Sequence, residues 1–269
     1  MYRLGRLAIA AVCFFLGTVG CTVTSVPQSR PNLSQAVLTF DDEFNGDRID
    51  LSKWNVISRI LYSNGASNAY NPAMVSVGNG YLRLDLDAVP YLGKPYSGGE
   101  IDSRGKFNQK YGYFEARMKL PRGSGLHSSW WLWPLSDRWP PEIDIIETKG
   151  SRPTTAYMTV HWSESGVVRA YPEQMDFSGD HYSEGVFEGS DLTEDFHVFG
   201  VEWKPESIVW YIDGVERHRV SEHVPQESFM LELDLALDTY GGSIDRSVLP
   251  ASLLVDYVRV YRLPGDPLP

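Results

Sequence analysis

Hydrophobic and polar residues alternate with a period of two along much of this chain. In Tyr81–Asp87, Leu82, Leu84 and Leu86 fall on one face and Arg83, Asp85 and Asp87 on the other. Phe114, Ala116, Met118 and Leu120 likewise oppose Tyr113, Glu115, Arg117 and Lys119. This is the signature of strands with one face in a core. Ser207–Val220 alternates on both sides of Asp213-Gly214, a strong two-residue hairpin signal, and Leu253–Leu263 alternates again. Long helical periodicity is absent. The pattern predicts an all-β domain, an antiparallel β-sandwich of the jelly-roll kind, with one sheet curved into a concave substrate cleft.

The first twenty residues do not fit that pattern. Arg3 and Arg6 precede an apolar run from Leu7 to Val19, which predicts an export signal too short to span a membrane comfortably. Val19-Gly20-Cys21 resembles a lipoprotein signal, in which Cys21 becomes the lipidated first residue. Thr18 departs from the aliphatic residue usual there, and Thr22 after the cysteine resembles lipoproteins passed on to an outer membrane. Residues 21–34, polar with Pro27 and Pro31, read as a tether, and 35–269 as one catalytic domain. The expected location is outside the cytoplasm, as a surface or outer-membrane lipoprotein or a secreted protein.

Cys13 and Cys21 are the only cysteines, so the exported domain contains no internal disulfide and relies on its core. The net charge is −11; removing Arg3 and Arg6 leaves 22 basic against 35 acidic residues, or −13. No basic patch for nucleic acid is visible, and the acidity suits a neutral substrate.

Chemistry concentrates in Glu142-Ile143-Asp144-Ile145-Ile146-Glu147. The isoleucines favour a strand. Glu142 and Asp144 share a face of it, whereas Glu147, five residues beyond Glu142, belongs on the other. One extra residue, a β-bulge at Ile145-Ile146, brings Glu147 back to the first face. Acids crowded in this way shift one another's proton affinity, as needed where one carboxyl is protonated and another ionised. That is the arrangement of glycoside hydrolysis by two carboxylates. Four of the eight tryptophans, Trp130, Trp131, Trp133 and Trp139, lie just upstream. Indole faces stack on sugars, although strand alternation requires some of the four to be core. H-E-x-x-H, G-x-S-x-G and P-loop motifs are absent.

The chain resembles family 16 of the glycoside hydrolases from about Phe40 to Tyr261. The matching segments are Phe40–Gly46, Lys53–Asn55, Tyr111–Arg117, the acidic run, Phe196-His197 with Val201–Trp203, Trp210–Gly214 and Asp256–Tyr261. The resemblance implies a β-jelly-roll and a retaining endo-mechanism on β-linked polysaccharides. It makes Glu142 the nucleophile, Glu147 the acid/base and Asp144 their assistant, and the implied separation of the two glutamate carboxyls is roughly 5–5.5 Å. Trp131 matches the family's cleft tryptophan, with Trp139 and His161 as further substrate-binding candidates. The family also implies a structural calcium at Glu43, the backbone of Gly80 and Asp256; catalysis requires no cofactor.

Two departures bear on substrate. His127-Ser128-Ser129 stands where laminarinases often have Trp-Pro-Ala, so His127 replaces an aromatic expected to meet the sugar. Asp234 and Leu237-Asp238-Thr239 replace an asparagine and a Gly-Gly pair. The sequence favours internal cleavage of β-1,3- or β-1,3-1,4-glucan by a monomer, touching a membrane only through its lipid. A galactan hydrolase of agarase, porphyranase or carrageenase type, a transglycosylase, and a non-catalytic carbohydrate-binding protein are the alternatives.

Overall fold

The computed structural model describes residues 29–61, 65–136, 138–164, 169–170 and 181–266. The predicted export signal, Cys21 and most of the tether lie outside the described residues. Among the described residues, two large sheets form the domain, with a two-stranded one of Arg138–Trp139 and Arg169–Ala170. The eleven-stranded sheet is built around Gly112–Lys119, Ala251–Arg262 and Tyr81–Asp87. The seven-stranded sheet runs in the order His181–Glu188, Thr155–Trp162, Glu142–Lys149, Leu126–Pro134, Phe229–Leu237, Glu100–Asp102, Asn55–Val56. Every pairing in it is antiparallel. The architecture is the predicted all-β sandwich.

The core lies between the sheets. Leu82, Leu84 and Leu86 are fully buried in one cluster with Trp130, Ile143, Ile146, Leu231 and Leu233. The Asp213-Gly214 hairpin forms as predicted, with φ of 52° and 74° at the two turn residues and Ile212 paired to Val215. One alternation reads differently in three dimensions. Tyr113 and Glu115, on the polar side of their strand, are also buried. The chain entering the domain covers them. Arg30 donates to Glu115 at 3.0 Å, and Leu33 and Ala36 pack against Tyr113, Val209, Tyr211 and Leu263.

The acids expected to hold calcium have arginine partners in the structure. The Glu43 carboxylate accepts two bonds from Arg259, 2.7 Å from Nε and 2.8 Å from Nη2, and Asp256 accepts one from Arg117 Nη1 at 2.6 Å. Guanidinium groups neutralise these acids, as a cation would. Gly80 has a simpler reason to be glycine. With Asn79 it forms the two-residue turn between paired Gly78 and Tyr81, at φ of 57° and 80°. A chelator should therefore leave the thermal midpoint unchanged; a clear drop in metal-free buffer would restore the calcium reading. Leu84→Ala should cost about 2–5 kcal/mol in denaturant unfolding, because the buried site leaves a cavity.

Candidate active site

The acidic run occupies the strand Glu142–Lys149, and its register contains the extra residue. Against Thr155–Trp162, Asp144 pairs with Thr159 and Glu147 with Tyr157, three residues matched to two. Against Leu126–Pro134, Trp130 pairs with Ile146 and Trp131 with Asp144, leaving Ile145 unmatched. Ile145 and Ile146 are both in the core, so the bulge lets two consecutive apolar side chains face inward. Glu147 thereby returns to the side of Glu142 and Asp144.

Each acid has its own partners. Trp139 Nε1 donates to Glu142 Oε2 at 2.5 Å, and His161 Nε2 lies 3.1 Å from Asp144 Oδ2. Trp210, reaching up from the core, donates Nε1 to the Asp144 carbonyl at 2.8 Å. His127 sits between two carboxylates, with Nε2 2.8 Å from Glu147 Oε1 and Nδ1 2.9 Å from Asp238 Oδ2. Tyr240 donates its hydroxyl to Glu147 Oε2 at 3.4 Å.

Their proton affinities follow from these neighbours. Burial and the adjacent Asp144 push Glu142 well above the usual carboxylate range. Burial, then the charge of Glu147, also pushes Asp144 up. Two such close acids do not both ionise readily, so a proton rests on the Glu142–Asp144 pair. At rest Glu142 is its favoured holder, because the hydrogen bond between the two raises Glu142 and lowers Asp144, and His161 lowers Asp144 further. Burial pushes Glu147 up too, but the hydrogen bond and charge of His127 outweigh it and leave it below its ordinary value. Burial alone would lower His127; the charge of Asp238 and bonds to Asp238 and Glu147 hold it well above.

Trp131 is half-buried on the site side and donates Nε1 to Asp234 Oδ1 at 3.2 Å; Tyr70 donates its hydroxyl to the other oxygen at 2.7 Å. Beyond it opens a pocket of about 470 Å³ bounded by Trp131, Arg59, Arg104, Glu100, Asp102 and Glu232. Arg59 pairs there with Glu100 and, at 3.4 Å, with Glu232. The wall offers hydrogen bonds beside an aromatic face, which is what a sugar requires.

The structure thus gathers Glu142, Asp144, Glu147, Trp131, His127 and His161 on one face of the seven-stranded sheet, with Trp139 over it, and corrects one assignment. Trp139 is only 4% exposed, and its N–H serves Glu142, so it is no open stacking platform. His127 turns both nitrogens to carboxylates, one of them Glu147. Trp130 is core, while Trp133 and Trp139 pack around Met230 under Trp131. Glu142, Asp144 and His161 each offer a donor atom within 4.8 Å of the others, a set that could hold a cation, although two-carboxylate chemistry needs none.

The sequence reading gave no role to Asp238, Tyr240 or Trp210. The first two lie just past the strand Phe229–Leu237, in a loop held against Leu126. Asp238 donates its backbone N–H to Gly125 O, and Asp238 Oδ1 accepts from Gly241 N. A Cβ on Gly241 would stand 2.4 Å from Leu126 O, so only glycine permits this approach. The one signal was the departure at Asp238 itself.

Comparison with known proteins agrees with the geometry. The family model described as "Beta-porphyranase A-D, GH16 domain" matches residues 35–263. A glucan endo-1,3-β-glucosidase A1 of Niallia circulans is 29% identical over 86% of this chain, which spans only 39% of that protein's length. A β-glucanase of Rhodothermus marinus is 30% identical, with 91% of each chain aligned. The laminarinase structure from the same organism superposes with a TM-score of 0.73 at 28% identity, covering 84% of this chain and 97% of that one.

Burial raises the Asp234 carboxyl to about 7. Its folded value exceeds the unfolded one, so its contribution to stability is present at low pH and is lost as pH rises through about 7. Asp234→Asn should flatten the decline of Tm with pH over that window. Equal slopes for variant and wild type would exclude Asp234 as the titrating group.

Proposed function

The chain belongs to family 16 of the glycoside hydrolases, and from its site we propose a retaining endo-β-glycanase whose substrate is a β-linked galactan of the agar–porphyran type. The observation that carries the enzymatic reading is the bulged strand with three acids on one face. Glu142, as a carboxylate steadied by Trp139, attacks the anomeric carbon. Glu147 protonates the departing oxygen, then takes a proton from the water that releases the sugar. Asp144, hydrogen-bonded to Glu142 and held by His161 and Trp210, takes over the shared proton as Glu142 attacks, so that the nucleophile reacts as a carboxylate.

Two observations support galactan. The porphyranase-type model spans the whole described domain from residue 35. His127 also stands where glucan-cleaving relatives of this family carry an indole. Galactose differs from glucose by an axial O4, which lifts out of the ring plane and needs room and polar partners. An imidazole held by two carboxylates leaves more room than an indole and offers a smaller stacking face. The second reading is a β-1,3- or mixed-linkage glucan, favoured by the roughly 30% identity to glucanases over most of the chain. A long polymer has to be met outside the cell, which fits the export signal and the lipid anchor proposed for Cys21.

Reducing-end release from agarose, porphyran, carrageenan, laminarin and lichenan decides between them. Internal cleavage of agarose or porphyran is expected; activity on laminarin or lichenan alone would establish the glucan reading instead. Glu142→Gln and Glu147→Gln should each abolish nearly all hydrolysis with the melting temperature preserved. Near wild-type turnover by either would refute its assigned role.

A further inference from the structure

His127 poses a proton-counting problem. Its Nδ1 is 2.9 Å from Asp238 and its Nε2 2.8 Å from Glu147, and an ionised carboxylate only accepts. A neutral imidazole has one N–H and can satisfy one of them. Both contacts hold only if the ring carries two protons, or if one carboxyl carries the proton the ring lacks. Either way, one proton lies on the line between His127 Nε2 and Glu147 Oε1. Asp238 is fixed by its loop and is nearly inaccessible, so it anchors the far side of the ring.

We propose that His127, anchored by Asp238, is a positioning residue that stores the proton Glu147 delivers, so that the His127–Glu147 pair sets the alkaline limit of catalysis. This rests on the acid/base role given to Glu147 above. In the resting pair the ring is an imidazolium and Glu147 a carboxylate. As the glycosidic bond approaches, the proton passes from Nε2 to Glu147. Glu147 then gives its proton to the leaving oxygen while a Glu142 oxygen bonds to the anomeric carbon and the carbon–oxygen bond to the leaving sugar breaks. The ring is left neutral and Glu147 ionised. In the second half, water adds to the anomeric carbon, its proton goes to Glu147, and the ester to Glu142 breaks. That proton returns to Nε2.

Other charged or titratable groups face this pair. Lys149 is the register partner of His127, with its ammonium 4.3 Å and 4.1 Å from the ring centres of Tyr157 and Tyr240. Tyr240 lies against the His127 ring with centroids 4.7 Å apart, and Ser129 Oγ is 3.2 Å from Nε2. Asp234 on the neighbouring strand feels the imidazolium, and Glu147 feels His161. Asp144 and Glu184 lie across the site. Tyr240 also reaches both acids, Asp238 through its backbone N–H and Glu147 through its hydroxyl at 3.4 Å, but only His127 joins the two carboxylates through one titratable ring. Its proton affinity is held well above the ordinary histidine value, chiefly by Asp238 against the effect of burial.

The sign of the effect separates this role from its rivals. In the wild type the pair loses its working proton only at the raised pKa of His127. In His127→Gln the amide still donates to Glu147 but stores nothing, so the alkaline limb of kcat/KM should move to lower pH. Asp238→Asn should move it the same way by less. If His127 only depresses Glu147, its removal shifts the limb to higher pH; if it only packs, the limb stays in place. Either result overturns the proposal. Loss of rate in His127→Gln should be about ten- to a hundredfold on the polymer and smaller on a nitrophenyl glycoside, whose leaving group needs no proton. Equal loss on both would also overturn it. Nitrogen-15 NMR of the full chain reads the ring directly: both nitrogens of His127 should be protonated at neutral pH, and a neutral ring overturns the inference whatever the activity. Absence of hydrolysis by the wild type would instead count against the enzymatic reading, leaving NMR to judge the ring.

Discussion

One surplus residue in one strand organises this molecule. Without it, Glu147 would point into the sandwich, where an unpartnered carboxylate costs several kcal/mol. Ile145 or Ile146 would point into the site. With it, both isoleucines enter the core and all three acids reach the same face. The bulge is stable because what it buries is apolar and what it exposes is charged. Flanking strands pair on both sides of it, so the irregularity is confined to the centre of the sheet.

Crowded acids then dictate their surroundings. A carboxylate low in a cleft needs a donor, and each has its own. Glu142 has an indole N–H, Asp144 a histidine and, through its backbone, a second indole, and Glu147 a histidine backed by another acid. The donors come from four other strands or loops, which explains why the site sits at the middle of the seven-stranded sheet. They also differ in what they do to a proton. An indole N–H steadies an anion and cannot give up its proton at ordinary pH, whereas an imidazolium can. The roles proposed for Glu142 and Glu147 call for the first and the second kind of partner respectively, and that is how the partners are distributed.

Much of this was legible in the chain. Period two in Tyr81–Asp87, the Asp213-Gly214 turn and the isoleucines of the acidic run all report local geometry, and local geometry is what a sequence encodes most directly. The bulge was legible because three acids at that spacing make physical sense on a single face only if the strand is irregular. The Arg259–Glu43 and Arg117–Asp256 pairs were not, since each depends on register between distant strands. Trp139 was misread for a related reason. An indole near an acid is a stacking surface or a hydrogen-bond donor according to which edge is buried, and that is decided by Trp133 and Met230 beneath it.

His127 makes the same point in the opposite direction. Read as a substitution in a sugar-contacting position, it looked like a change of ligand surface. Its partner Asp238 lies 111 residues away, and the two meet because Leu126 pairs with Leu237 and Gly241 lets the following loop close over that strand. The departures at His127 and at Asp238 are then one change, not two. An imidazole at this place without the acid would be a buried, weakly basic ring, and the acid without the imidazole would be a second, uncompensated negative charge near Glu147. Only together do they leave the acid/base with a proton at hand, so any shift in sugar preference at this wall is bound to a shift in how the reaction is protonated.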